Sequence, residues 1–151
     1  MADATARAAV TAGPSPAWTT LFTAWLVAAT SSLGALYFGE VAELPICVLC
    51  WYQRIFMFPL ALILPFGLFP PDRRIIRCAL VLAVPGTLVA VYHLLLAGGV
   101  IPKPLKPCVQ GIPCSETVIR WFGFLTIPLL SAVAFSTIVA LLVTAHRRSS
   151  T

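Results

Sequence analysis

Four long apolar stretches separated by short polar breaks organise the whole chain, running approximately from Trp18 to Gly39, Val48 to Phe69, Ile75 to Gly99 and Val118 to Ala145. Crossing the hydrocarbon core of a bilayer takes about 20 helical residues, and each stretch is that long. Outside them lie a polar tail over residues 1–17, three connections and a short tail over 146–151, too little chain for a separate soluble domain. The pattern predicts an all-α fold: an integral membrane four-helix bundle over residues 18–145, with no internal repeat. The first stretch exceeds the apolar run of about 7 to 15 residues in a cleaved secretory signal, so it is read as a retained span.

Composition agrees with this reading, since 60% of the 151 residues are apolar, 10% are charged, and the mean hydropathy is +0.96. No ordinary soluble domain has such values. Charge then sets the orientation, because short loops rich in Lys and Arg stay on the cytoplasmic side. Arg7, Arg73, Arg74, Arg77, Arg147 and Arg148 fall on one side, whereas only Lys103 and Lys106 lie in the opposite loops. Arg54 and Arg120, near the outer ends of spans, narrow that bias without reversing it. Both termini are expected in the cytoplasm of a bacterium, and Cys47, Cys50, Cys108 and Cys114 on the extracytoplasmic, oxidising side of its inner membrane. The net charge of +5 calls for no nucleic-acid partner, because membrane topology accounts for most of the basic residues.

Pro59, Pro65, Pro85 and Pro128 fall in the last three spans. Each removes a backbone donor, so kinks or open carbonyls are expected there, although proline is also simply commoner in membrane helices than in soluble ones.

Five cysteines divide into two pairs and a remainder: Cys47 with Cys50, Cys108 with Cys114, and Cys78 alone. Cys47 and Cys50 stand where a short loop runs into the second span, in a first turn whose unpaired amides and dipole favour a thiolate. A disulfide over so short a loop restrains little chain entropy, so stability is a poor reason for it. Cys108 to Cys114 closes a small loop that Gly111 lets turn and that Pro102, Pro104, Pro107 and Pro113 stiffen. Lys103 and Lys106 just upstream favour a thiolate at Cys108, a candidate nucleophile toward an outside partner. An inert structural disulfide is the competing reading of this second pair. A four-cysteine zinc site is disfavoured by the wide spacing of the second pair and by the oxidising compartment, and no metal is assigned. Cys78 reads as a small, inert side chain near the start of the third span.

An ionisable group inside a span costs about 2.5 kcal/mol or more unless something compensates it, which singles out Arg54 and His93. Arg54 lies seven residues beyond Cys47 and His93 six before Gly99. At about 1.5 Å per residue both sit roughly 10 Å below the outer surface, at a depth where they can line one cavity. Cys47, Cys50 and Arg54 also fall within an arc of roughly 60° on a helix, facing one neighbour or one ligand. An arginine donating to carbonyl oxygens and a histidine that donates or carries a proton suit a quinone head group beneath the CxxC. The ordinary alternatives are an arginine that snorkels to the interface and a histidine bonded to a backbone carbonyl.

The run Cys47-Val48-Leu49-Cys50-Trp51-Tyr52-Gln53-Arg54 at the head of the second of four spans, with a second cysteine pair before the fourth, resembles the DsbB family of disulfide-bond formation proteins. The segment Val91-Tyr92-His93 adds weaker support. The resemblance covers approximately residues 18–145. It implies a quinone-dependent protein-disulfide oxidoreductase whose partner is a DsbA-like thioredoxin-fold protein and whose acceptor is the membrane pool of ubiquinone or menaquinone. The relay by which such proteins keep the periplasm oxidising is a general one. On this chain the resemblance makes Cys108 the residue that meets the partner and Cys114 its disulfide mate, with Cys47 exchanging with that loop pair. It sets Cys50 nearest the quinone, with Arg54 and His93 as quinone-side residues. The loop here is shorter than in the best-known enterobacterial members. Vitamin K epoxide reductase-like proteins share the small bundle and the CxxC but have the two pairs in the opposite order. A membrane assembly factor or transporter subunit with two structural disulfides is the non-enzymatic alternative.

Overall fold

The computed structural model describes residues 15–43, 46–69, 72–100, 120–121 and 125–148. Four helices are long and apolar enough to cross a membrane. Helix α1, Pro16–Leu36, continues into a π-helical turn, Tyr37–Val41; α2, Val48–Ile63, continues into a 3₁₀ turn, Leu64–Gly67; α3 is Arg73–Ala97 and α4 Ile127–Arg148. Each starts where local chemistry lets it. Ser15 caps α1 by accepting from the Trp18 amide at 3.2 Å, with Pro16 at the first helical position, where its missing N–H costs nothing. Asp72 caps α3 by accepting from the Arg74 amide at 2.8 Å.

Each helix packs on its sequence neighbours, and α4 closes back on α1, so the bundle is a ring of four. Short connections make α1 and α2, and α2 and α3, antiparallel neighbours. Along α3 the buried positions Ile76, Ala79, Ala83, Gly86, Ala90 and His93 repeat at alternating steps of three and four, the seam of a left-handed helix pair. Most are small, and in a bilayer, where burying apolar surface drives nothing, small residues bring helices close enough for dispersion contacts to hold them. At Gly86 the Phe135 ring of α4 occupies the space a Cβ would need. Two polar links add to the packing: Trp25 Nε1 donates to the Ala61 carbonyl at 3.1 Å, and Arg148 Nη1 donates to Thr20 Oγ1 at 3.0 Å. The second ties the last turn of α4 to the first turn of α1.

The fourth helix begins at Ile127, nine residues later than the apolar run suggested. Residues Arg120–Trp121 (β1) and Leu125–Thr126 (β2) instead form a short antiparallel pair, with Arg120 opposite Thr126 and Trp121 opposite Leu125. Hydropathy alone does not separate an apolar strand from the start of a helix, and Pro128 fits the first turn better than the interior. Pro65 likewise opens the 3₁₀ turn. Only Pro59 and Pro85 lie inside helices, where they leave the carbonyls of Ile55 and Val81 without their usual amide partners.

Candidate functional site

Cys47 is the N-cap of α2, a position normally held by Ser, Thr, Asn or Asp because a side-chain acceptor there satisfies an orphan amide. Its Sγ takes that role, accepting from the Cys50 N–H at 3.4 Å. Capping fixes the rotamer of Cys47 and holds its sulfur over the first turn, 2.9 Å from Cys50 Sγ, with both residues as free thiols. A disulfide requires a separation of about 2.05 Å, so the pair closes by a movement of roughly 0.9 Å.

His93 reaches this pair from α3. Its Nε2 lies 3.7 Å from Cys47 Sγ, and its Nδ1 lies 3.2 Å from Gln53 Nε2 on α2. With the amide donating, Nδ1 accepts and the ring proton sits on Nε2, aimed at the sulfur. His93 is 3% exposed and Gln53 6%, so the imidazole is held between two helices with both nitrogens engaged. Cys47, just outside the span, has its thiol pulled well below the ordinary range. The hydrogen bond from Cys50 is the main cause, His93 adds to it, and burial opposes both.

Arg54 turns the other way. Its guanidinium donates to the Ala35 carbonyl in the last turn of α1, and its charge lies 5.4 Å from the centre of the Trp51 ring. A carbonyl oxygen has two lone pairs, so Ala35 can accept from the guanidinium whatever its backbone partner. The charge-assisted bond supplies about 1.5–3 kcal/mol, enough to offset most of the cost of a membrane-buried charge. Arg54 is 8% exposed, its charge held against α1, and among the described residues His93 meets the side chains of Cys47 and Gln53. The expectation that Cys47, Cys50 and Arg54 face one neighbour is corrected: Cys47 meets α3, while the long arginine side chain reaches across to α1. Cys50 and Arg54 remain one helical turn apart on α2. One turn back from Ala35, Ser32 buries a hydroxyl with no hydrogen-bond partner among the described residues.

Comparison with known proteins decides the family. The family model for "Disulfide bond formation protein DsbB" matches residues 17–145. The chain belongs to the DsbB family. Similar curated members include disulfide bond formation protein C of Bacillus subtilis, 44% identical over 79% of this chain and 86% of that protein. A probable disulfide formation protein of Metapseudomonas resinovorans is 43% identical over 88% of this chain and 93% of its own. Probable disulfide formation protein C 1 of Bacillus anthracis is 40% identical over 78% and 85%. No solved structure matches. The DsbB match spans both cysteine pairs, Arg54 and His93; Cys108 and Cys114 lie outside the described residues.

Sequence reasoning missed four features of this region: Gln53, Ser32, the Ala35 carbonyl and Gly39. Gln53 had a signal, a polar side chain one turn beyond Cys50 inside an apolar span. The Ala35 carbonyl is a backbone group and had none.

Proposed function

We propose that this chain is the membrane thiol–disulfide oxidoreductase that reoxidises a DsbA-like thioredoxin-fold partner. Electrons pass through Cys108/Cys114 and then Cys47/Cys50 to ubiquinone or menaquinone, with both cysteine pairs on the extracytoplasmic side of a bacterial inner membrane. The observation that carries the reading is the contact of the Cys47–Cys50 thiol pair with buried His93 at one end of the bundle. Membership of a disulfide-forming family supports it.

In the exchange a partner thiolate attacks Cys108 and Cys114 leaves as a thiolate; the partner's second thiol then resolves the mixed disulfide, so the partner leaves oxidised and the loop pair reduced. A loop thiolate next attacks Cys47 of the oxidised CxxC and Cys50 is displaced. The second loop thiol then attacks the mixed disulfide at the loop sulfur and displaces Cys47, so the loop disulfide is restored and Cys47 and Cys50 are left reduced. His93 Nε2 stands where it can give a proton to Cys47 or take one, with Gln53 fixing the tautomer. A bound quinone supplies the final sink for two electrons and two protons. Arg54 and His93 would hold its head group, the Arg54 N–H groups not spent on Ala35 donating to an oxygen that gains negative charge. Arg54 is buried one helical turn beyond Cys50, a setting in which a fixed cation acts strongly on developing negative charge.

The test is a turnover assay of purified protein in detergent with a reduced thioredoxin-fold dithiol protein and either quinone. Loss of two partner thiols per quinone reduced is expected. Partner thiols that persist with both quinones would leave a non-enzymatic bundle as the better description.

A further inference from the structure

Cys47 Sγ, Cys50 Sγ and His93 Nε2 form a three-donor cluster in which all the ligand atoms lie within 4.8 Å of one another. Two thiolates and an imidazole are the donor set preferred by thiophilic d¹⁰ cations, and three protein ligands leave the fourth tetrahedral position open. The spacing is close to what such an ion needs. Bonds of about 2.3 Å to sulfur and 2.0–2.1 Å to nitrogen put S and N about 3.6 Å apart across a tetrahedral centre. Cys47 Sγ and His93 Nε2 already stand 3.7 Å apart. The same geometry puts two sulfurs about 3.8 Å apart, so from 2.9 Å the pair opens by roughly 0.9 Å, as far as it would move to close a disulfide.

The surroundings complete the arrangement. A ligating histidine needs its other ring nitrogen held by an acceptor, which orients the ring and frees a lone pair for the metal. Gln53 sits 3.2 Å from Nδ1, and turning its amide by half a turn replaces the donor with the Oε1 acceptor. One residue therefore serves both tautomers, Nε2–H facing a thiol and bare Nε2 facing a cation.

We propose that the reduced Cys47–Cys50 pair and His93 form a binding site for a thiophilic d¹⁰ cation, Zn²⁺ being the representative case. Binding forms two metal–sulfur bonds and one metal–nitrogen bond, any proton still on a thiol leaves to solvent, the imidazole keeps its proton on Nδ1 instead of Nε2, and no electrons move. The bound ion occupies both sulfurs and stops disulfide closure, so metal and oxidant compete for one pair of atoms. The site rests on the observed donor geometry and not on the redox reading.

The test uses full-length protein carrying Cys78→Ala, Cys108→Ala and Cys114→Ala, so that only Cys47 and Cys50 supply thiols. Reduced in detergent, it is titrated with Zn²⁺ against a chromophoric chelator, and with Cd²⁺ followed by thiolate-to-metal absorbance. One ion per chain is expected, with proton release, no binding once the pair is oxidised, and affinity about tenfold or more weaker in His93→Ala. In otherwise unsubstituted reduced protein, Zn²⁺ should slow alkylation of Cys47, an arm that does not depend on a variant folding. Unchanged affinity in His93→Ala, binding to the oxidised form, or alkylation indifferent to Zn²⁺ overturns the proposal. Neither quinone nor partner is present, so loss of the metal site leaves the oxidoreductase reading standing, and the reverse.

Discussion

Gly39 leaves open the space that the Arg54 guanidinium fills: a Cβ at residue 39 would stand 2.6 Å from Nη2 and 2.8 Å from the Ile46 side chain. Real Cβ contacts are not so short, and the arginine is the flexible partner. In Gly39→Ala the guanidinium should therefore leave the Ala35 carbonyl while the helix itself persists. The expected outcome is a several-fold rise in the quinone KM, with single-turnover exchange between the loop pair and the partner unchanged. Equal loss in both assays would mean that the substitution disturbs the whole bundle.

Arg54 is the direct version of that experiment. Arg54→Ala removes a charge-assisted bond worth about 1.5–3 kcal/mol together with a buried charge that costs a comparable amount, so thermal stability should change little. Quinone kinetics should change far more, with KM rising, kcat falling, or both. Arg54→Lys should recover only part, because an ammonium lacks the planar fork that can hold Ala35 and a second oxygen at once. Quinone kinetics like those of the wild type in Arg54→Ala would remove the guanidinium from the reaction.

The lowered Cys47 thiol gives a pH signature. An ordinary thiol, with a pKa of about 8.5, loses about tenfold in alkylation rate for each unit of acidification below that value. Because the Cys47 pKa lies below that range, its thiolate persists as pH falls, and its labelling rate should stay nearly flat from mildly alkaline to mildly acidic conditions. A small water-soluble thiol in the same sample supplies the comparison. Replacing His93 by Ala should steepen the Cys47 profile only partly, since the hydrogen bond from Cys50 is the larger influence.

Much of this was legible in the chain, and the exceptions have physical reasons. Span number and the ends of the first three helices follow from hydropathy, because a bilayer imposes the same length on every crossing. The start of α4 did not, since β1 and β2 draw on the same apolar residues that fill helices. Arg54 and His93 announced themselves because a titratable group in hydrocarbon is expensive. Their contacts did not: helical phase gives the direction of a Cα–Cβ bond, and a guanidinium several bonds further out can swing to a different helix. That is why Arg54 was expected beneath the thiols and is found against Ala35.

For the relay itself, Cys114→Ala leaves Cys108 as a lone thiolate that, given the partner in its oxidised form, attacks the partner's disulfide, and no second loop thiol resolves the product. A mixed disulfide between Cys108 and the thioredoxin-fold partner should then accumulate and appear as a linked band on a non-reducing gel. Cys108→Ala should give none. A band of equal strength in both variants would reverse the assignment of the attacked cysteine.

Packing offers a control remote from the chemistry. Gly86→Ala forces a methyl group against the Phe135 ring at the contact between α3 and α4, and overpacking of this kind costs about 1–3 kcal/mol. A lower melting temperature with an unchanged quinone KM in the folded fraction is expected, and Gly86→Ala combined with Phe135→Leu should regain part of the loss.

The π-helical turn Tyr37–Val41 makes the length of this stretch a functional quantity. Such a turn carries one residue more than the α-helical turn it replaces. Deleting one residue from it lets α1 run on as regular helix, and positions downstream of the turn keep nearly their phase, because the wider turn is what absorbs the extra residue. Inside the turn the phase does change, so Gly39 or its successor would no longer face the guanidinium, although every chemical group named above would still be in the chain. Homologues that vary freely in sequence over this turn should still keep its residue count, and an alignment gap there should coincide with the loss or relocation of the arginine.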